Sequence, residues 1–160
     1  MEKYCSVVKS PIGDIIILAD DNAVNVVTFG SRDIEGLQEN PISQLAAKEL
    51  TQYFEGNLKE FSFPMAQEGT EFQKDVWQKL LKIPYGETTS YAKFSAHKPL
   101  AIRAIAAANG KNNIAIVVPC HRVIGSDGKL VGYAGELWRK KWLLQHEREV
   151  AQKGQTELKF

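Results

Sequence analysis

The chain has 160 residues, of which 44% are hydrophobic and 24% charged, and its formal net charge is +1. This composition excludes a disordered chain, and the length allows one domain or two small ones. The two cysteines, the lack of a leader-like start and the lack of a membrane-length apolar run predict a cytoplasmic protein with free thiols and no membrane partner. Near-neutral charge leaves nucleic acid open, since binding depends on local charge clusters.

The first third of the chain predicts a small sheet followed by a helix. Three segments rich in β-branched residues, separated by turn residues, predict a three-stranded meander. These segments are Tyr4–Lys9, Ile12–Ala19 and Val24–Phe29. Asn40 is typical of a helix cap with Pro41 at the first helical position, and Gly56 ends the apolar pattern that follows.

A linker rich in Pro and Gly then divides the chain. We expect an N-terminal domain over residues 1–68 and a C-terminal domain over residues 69–160, in an α/β (α+β) fold. Thr70 and Gln73 have the spacing of a capping box, so a helix begins there. Pro84 and Gly86 stop this helix.

Residues 88–110 predict a helix-turn-helix. Ser90 or Thr89 caps the first helix, Pro99 breaks the chain, and a second helix runs from about Leu100 to Asn109. The second helix is rich in alanine, and such small side chains let a backbone approach a flat surface closely. Basic residues cluster in the same region. They are Lys93, His97, Lys98, Arg103 and Lys111.

The rest of the chain predicts short strands and a last helix. Ile114–Val118 is typical of a short buried strand, and a turn at 126–128 would pair Val123–Ile124 with Leu130–Val131 as a small hairpin or wing. Leu137–Glu147 predicts an amphipathic helix, and the polar residues 148–160 predict a frayed end.

Cys120 is the strongest candidate for chemistry. Pro119 fixes the backbone before it, and a histidine close to a thiol can generate the nucleophilic thiolate. The alternative is a buried structural cysteine. His121 follows directly, and neighbours in an extended segment point to opposite sides, so a working pair needs a turn or a bridging water. Glu147 is either a surface charge or the group that orients this imidazole in a Cys-His-Glu relay.

Several known site types compete for these residues. A zinc deaminase is excluded because Cys120 has no second cysteine three positions later, and no cluster of Cys and His predicts a metal site. A cysteine hydrolase fits the Cys-His pair alone, and a helix-turn-helix regulator fits residues 88–110 alone. Neither of these accounts for both features.

Taken together, a series of motifs in residues 70–147 closely resembles the O6-alkylguanine-DNA alkyltransferases, also called methylated-DNA–protein-cysteine methyltransferases. The motifs are Ile83-Pro84-Tyr85-Gly86-Glu87, Ser90-Tyr91, Arg103-Ala104, Asn112, Pro119-Cys120-His121-Arg122-Val123, Gly132-Tyr133-Ala134-Gly135, Trp142-Leu143-Leu144 and His146-Glu147. The N-terminal third is similar only in architecture. The resemblance implies a ribonuclease-H-like first domain and a winged helix-turn-helix in the second.

The resemblance also implies direct reversal of alkylation damage in DNA. Cys120 would accept the alkyl group from guanine O6, and His121 would deprotonate the thiol through a water. Glu147 would hold the imidazole, and Asn112 would brace the loop. Tyr91 would donate a proton toward guanine N3, which makes guanine a better leaving group.

In this family the helix-turn-helix enters the minor groove of double-stranded DNA. Arg103 would fill the space left by the flipped O6-alkylguanine nucleotide. Thr88, Thr89, Ala92 and Lys93 would contact phosphates without reading sequence. The carbonyls of Cys120 and Val123 would read the guanine amine. The remaining residues implied in the base pocket are Tyr133, Ala134, Gly135 and Ser126.

The resemblance implies a monomer without cofactor or metal that accepts one alkyl group and is not regenerated. The family's zinc-binding variants use several N-terminal Cys and His residues, and only Cys5 is present here. The alternative is a non-catalytic protein that binds alkylated DNA. A related group of such lesion-binding proteins lacks the acceptor cysteine, so Cys120 argues against that class.

Overall fold

A computed structural model describes residues 3–30, 34–125 and 136–158 of the chain, with side chains up to residue 152. These residues form two compact units. The first comprises the chain up to Glu68 together with Asn113–Val117, and the second comprises Gly69–Asn112 and the chain from Val118 onward. None of the helices in the described ranges has both the length and the apolar character needed to cross a bilayer.

The first unit is an antiparallel sheet with one long helix. Strands β1 (Tyr4–Ser10), β2 (Gly13–Ala19) and β3 (Val24–Phe29) lie in sequence order, and helix α1 (Pro41–Phe54) packs on β1 and β2. Asn40 caps α1, since its side chain accepts a hydrogen bond from the backbone N–H of the third helical residue. The predicted meander and helix are therefore confirmed.

The segment after the second unit's helix-turn-helix departs from prediction. Ile114–Val118 does not form a strand. It contacts β3 through one isolated bridge to Val27, and the chain then turns at Ile116, whose φ is 72°. The Val117 N–H donates to the Ala115 carbonyl at 2.8 Å across this turn, which is a γ-turn of the strained hand. The apolar composition correctly predicts burial, but local turning overrides β propensity.

The second unit is mostly helical. Its elements are α2 (Glu71–Leu80), β4 (Thr89–Ser90), α3 (Tyr91–Phe94), α4 (Ile102–Gly110), β5 (Val123–Ile124) and α5 (Leu137–Leu158), with 3₁₀ turns at Pro99–Ala101 and Cys120–Arg122. Thr70 and Gln73 form the predicted capping box of α2. The mixed fold with a small sheet domain and a helical domain is confirmed.

The helix-turn-helix is present with a short first helix. Ser90 caps α3, which has a single turn, and the Pro99–Ala101 turn leads into α4. The Trp77 indole N–H donates to the Ala108 carbonyl at 2.9 Å, which fixes the end of α4 on α2. The chain therefore presents α4 on a rigid support.

Of two predictions for the C-terminal part, one is wrong and the other falls partly on residues outside the described ranges. Val123–Ile124 pairs in parallel with β4, and the predicted hairpin partner Leu130–Val131 lies outside the described residues. The frayed end predicted from residue 148 is wrong, because α5 continues to Leu158. Residues 148–153 contain no Pro or Gly, so no sequence signal ends the helix there.

Candidate active site

Cys120 lies directly after a tight turn. Pro119 has φ −82° and ψ 63°, and the Cys120 N–H donates to the Val118 carbonyl at 2.8 Å, as in an inverse γ-turn. The next three residues form a 3₁₀ turn in which the Arg122 N–H donates to the Pro119 carbonyl at 3.0 Å. Cys120 and His121 are therefore on a turn, so the opposite-sides rule for an extended segment does not apply to them.

Asn112 fastens this turn. Its side-chain amide donates to the Val118 carbonyl at 2.8 Å, in a buried position. The same carbonyl also accepts the Cys120 N–H, so its two lone pairs are both used. The backbone before the cysteine is thus held from two directions.

His121, Arg122 and Glu147 form a buried ionic cluster. His121 Nε2 lies 2.8 Å from Glu147 Oε2. Arg122 donates to the same carboxylate twice, from Nε at 2.8 Å and from Nη2 at 3.0 Å. His121 is 0% and Glu147 1% exposed. The structure brings the two predicted residues together, and Glu147 is not a surface charge.

Arg122 is a member of the site that sequence reasoning missed. Its Nη1 donates to the Ile83 carbonyl at 2.7 Å, and its guanidinium lies 5.6 Å from the centre of the Tyr85 ring. Gly86 follows with φ 80°, and its N–H approaches Glu147 Oε1 at 3.4 Å. The Pro84-Tyr85-Gly86 turn and the residue before it therefore contact both members of the Arg122–Glu147 pair. The turn and the pair are far apart in the sequence, so only the structure shows that they form one site.

The protonation states of this cluster follow from burial and pairing. Burial raises the pKa of Glu147, but His121 and Arg122 outweigh it and hold that pKa well below its usual range. Burial lowers the pKa of His121 more than Glu147 raises it. The imidazole is therefore neutral, with its proton on Nε2 facing the carboxylate. The other nitrogen, Nδ1, is unprotonated and has no hydrogen-bond partner among the described residues.

Cys120 is a thiol rather than a thiolate at rest. Its burial raises the pKa, and nearby Asn112 and Lys140 only partly offset this. A reaction at the sulfur therefore needs a base to remove the proton.

Lys140 is a second residue that the sequence did not reveal. It is fully buried on α5, and its Nζ donates to the Val123 carbonyl at 2.7 Å. Burial lowers the pKa of Lys140 to about 8, against the opposing effect of Cys120. Lys140 and Glu147 are seven residues apart on one helix, so they lie on the same face. A lysine in a polar helix is exposed by default, and no local signal marks this one.

Tyr91 lies at the start of α3 and is partly buried. Its hydroxyl oxygen accepts a hydrogen bond from Asn109 Nδ2 at 2.5 Å. Burial raises the pKa of Tyr91 despite this bond, so the phenol keeps its proton at neutral pH. The hydroxyl can therefore act as a proton donor.

The residues implied in DNA contact lie at the surface of the helix-turn-helix. Thr88, Ala92, Lys93 and Arg103 are exposed and Thr89 is partly buried. Leu100, Arg103, Ala104 and Ala107 are exposed and have the spacing of one helix face, and we call these four residues the outer face of α4. The opposite side carries Ile105, Ala108 and Asn109, all buried.

The base pocket is described only in part. Val123 is fully buried, and Ser126, Tyr133, Ala134 and Gly135 lie outside the described residues. In the described ranges, no three His, Cys, Asp or Glu residues lie together in a group that could hold a metal ion.

Two domain families match the chain. Residues 71–149 match the family described as 6-O-methylguanine DNA methyltransferase, DNA binding domain. Residues 3–67 match the family described as 6-O-methylguanine DNA methyltransferase, ribonuclease-like domain. Together these matches span nearly the whole chain, and both the Cys120–Arg122 turn and the helix-turn-helix fall within the first.

Similar proteins carry the name methylated-DNA–protein-cysteine methyltransferase. One from Methanosarcina barkeri is 44% identical over 152 residues, covering 90% of this chain and 96% of that protein. One from Mycobacterium leprae is 43% identical, covering 91% and 92%. A crystal structure of Mycobacterium tuberculosis OGT in complex with DNA superposes with a TM-score of 0.83 at 39% identity, covering 92% of this chain and 94% of that chain.

Proposed function

The chain belongs to the family of 6-O-methylguanine DNA methyltransferases, and from this premise we propose that Cys120 is the residue that takes the alkyl group. The protein repairs DNA by direct reversal, as a methylated-DNA–protein-cysteine methyltransferase. Of its two cysteines, Cys5 lies in the sheet of the first unit. Cys120 lies in the DNA-binding domain on the turn shared with His121. This placement beside the buried His121–Glu147 pair carries the proposal.

The base that activates the thiol is His121. Its Nε2 proton is committed to Glu147, which leaves Nδ1 as the lone pair that accepts a proton. A bridging water carries the Cys120 proton to Nδ1, and the ionised Glu147 stabilises the imidazolium that forms. His121 and Arg122 together hold the pKa of Glu147 low despite its burial, so the carboxylate is ionised before DNA binds.

The transfer itself is an in-line displacement at the alkyl carbon. The sulfur–carbon bond forms as the carbon–O6 bond breaks, and Tyr91 donates its proton toward guanine N3. The proton taken up by His121 then returns through solvent to the Tyr91 phenolate. The net change is that the thiol hydrogen is replaced by the alkyl group and the guanine gains one hydrogen. A thioether has no leaving group under these conditions, so each protein molecule reacts once.

The flipped base is read by the backbone around the acceptor. The carbonyls of Cys120 and Val123 accept hydrogen bonds from the guanine amine, and Lys140 holds the Val123 carbonyl in place with its own bond of 2.7 Å. Tyr133, Ala134, Gly135 and Ser126 complete the pocket.

DNA is the partner, and it is bound through the outer face of α4 in the minor groove. Small residues at Ala104 and Ala107 permit a close approach, and Arg103 fills the space left by the flipped nucleotide. Thr88, Thr89, Ala92 and Lys93 hold the phosphates. The protein acts as a monomer in the cytoplasm, where thiols stay reduced.

The two cysteines allow a direct test. A duplex with a labelled methyl group on guanine O6 should transfer its label to wild-type protein and to Cys5→Ser, and to the Cys120 peptide in both. Cys120→Ser should bind the duplex and take no label. Label on any other residue, or on Cys120→Ser, contradicts the assignment. Binding without any label supports the lesion-binding alternative instead.

A further inference from the structure

Asn109 is a buried polar residue that the mechanism above does not use. It lies at the end of α4 on the side opposite the outer face, and it is 5% exposed. Its side-chain amide nitrogen is 2.5 Å from the Tyr91 hydroxyl oxygen. Its side-chain oxygen is buried and has no hydrogen-bond partner in the part of the chain that is described.

The direction of this bond decides what Tyr91 can do. A phenol has one hydrogen to donate and lone pairs with which to accept. Because the Asn109 amide donates, the Tyr91 oxygen is the acceptor and its own hydrogen stays available. An acceptor at position 109 would instead capture that hydrogen.

We propose that Asn109 is a positioning residue that holds the Tyr91 hydroxyl as a proton donor toward the flipped guanine. This inference rests on the proposed role of Tyr91 as the general acid. The amide donates to the phenol oxygen, which fixes the ring's oxygen and directs the O–H away from α4. The same bond stabilises the phenolate that forms as the proton leaves.

The position of Asn109 also relates acid catalysis to DNA binding. Arg103 and Asn109 are on one nine-residue helix, Arg103 on the outer face and Asn109 on the inner side. The Trp77 indole fixes the adjacent Ala108 carbonyl. The acid is therefore held by the helix that we propose to contact DNA, so its position is set relative to the minor groove.

A double-mutant cycle tests this inference, with single-turnover methyl transfer from duplex DNA as the rate. Tyr91→Phe should slow transfer about 10²-fold or more, since it removes the acid. Asn109→Leu, of similar size, should slow transfer about tenfold, which is the usual value of one such hydrogen bond. Asn109→Asp should slow it further, because a carboxylate accepts the Tyr91 hydrogen. In the Tyr91→Phe background, Asn109→Leu should have an effect of less than about twofold.

A second measurement distinguishes a positioning role of Asn109 from a general disturbance of the site around Cys120. Alkylation of Cys120 by iodoacetamide needs no protonated guanine, so it should proceed at the same rate in Asn109→Leu and wild type. Ser95→Ala is the matched control, because Ser95 is also buried with an unpartnered hydroxyl within the described residues. It should leave both reactions unchanged.

Each contrary outcome is decisive. Additive effects of Asn109→Leu and Tyr91→Phe, or a parallel loss of iodoacetamide reactivity, overturn the role of Asn109 and leave the transfer mechanism standing. A Tyr91→Phe variant with wild-type rate overturns the acid role of Tyr91, and this inference with it.

Discussion

The buried ionic cluster beside Cys120 and the outer face of α4 lie in the same unit but are built on opposite principles. In the cluster of His121, Arg122 and Glu147, buried charges are paired within the protein. The outer face of α4 carries a fully exposed Leu100 and an exposed Arg103 beside small residues. The contacts of the cluster are formed without a substrate, whereas the role that we propose for the outer face requires DNA to lie against it. Substitutions in the first should therefore affect every substrate, and substitutions in the second only duplex DNA.

The largest effect is expected at Glu147. Glu147→Gln leaves the buried Arg122 without a charged partner, which should lower the free energy of unfolding by about 3–5 kcal/mol. Methyl transfer should fall equally on duplex DNA and on free O6-benzylguanine. Urea unfolding and single-turnover rates measure the two. Glu149→Gln, at an exposed position on the same helix, is the control and should change neither.

The pH dependence of stability sharpens this test. The pKa of Glu147 is lowered in the folded protein, so its contribution is present above the unfolded value of about 4.3 and is lost as pH falls further. Wild-type stability should therefore drop more steeply below about pH 4.3 than that of Glu147→Gln. Equal slopes for the two proteins would show that the pair does not form.

His121 should affect rate more than stability. His121→Gln keeps a donor to Glu147 but removes the base, so transfer should slow by about 10²–10⁴-fold on both substrate forms. The duplex Kd should stay within about twofold of wild type, since the His121 side chain is fully buried and is not among the residues implied in DNA contact. A loss of rate confined to the duplex substrate would contradict the role of His121 as the base and would indicate a role in DNA binding instead.

Arg103 is the corresponding test on the exposed side. Arg103→Ala should slow repair of duplex DNA by about tenfold or more, because the flipped state loses the group that fills the gap. Reaction with free O6-benzylguanine should stay at the wild-type rate. Both reactions should be unchanged in the control Lys48→Ala, at an exposed position on α1 outside the basic cluster. Equal losses on the two substrates would refute the flipping role.

The smallest effects separate charge from apolar contact on this surface. Lys93→Ala should reduce the slope of log Kd against log salt by about 1, since one phosphate contact is lost. Leu100→Ala should weaken duplex binding with the slope unchanged, because apolar contact releases no counterions. Filter binding across a salt series measures both variants. A changed salt slope for Leu100→Ala would contradict a purely apolar contact of Leu100 with DNA.

The sequence predicts local features of the fold better than contacts between distant residues. Helix starts and stops follow from neighbouring positions, as at the capping residues Asn40 and Thr70 and the turn residue Gly86. The relay alternative for Glu147, which the resemblance also implies, requires contact with His121, and the structure shows this contact. Arg122 and Lys140 were missed because burial of a charge depends on partners far along the chain. The turn at Ile116 was missed because β-branched residues favour strands until packing overrules them.

The stoichiometry of transfer to Cys120 tests the account most directly. Wild-type protein is titrated with excess O6-methylguanine duplex, and the methyl groups transferred per protein molecule are counted with their position. We predict a plateau at one methyl per molecule, all on Cys120, with no further reaction. Continued turnover, or a plateau with the methyl on another residue, would contradict it.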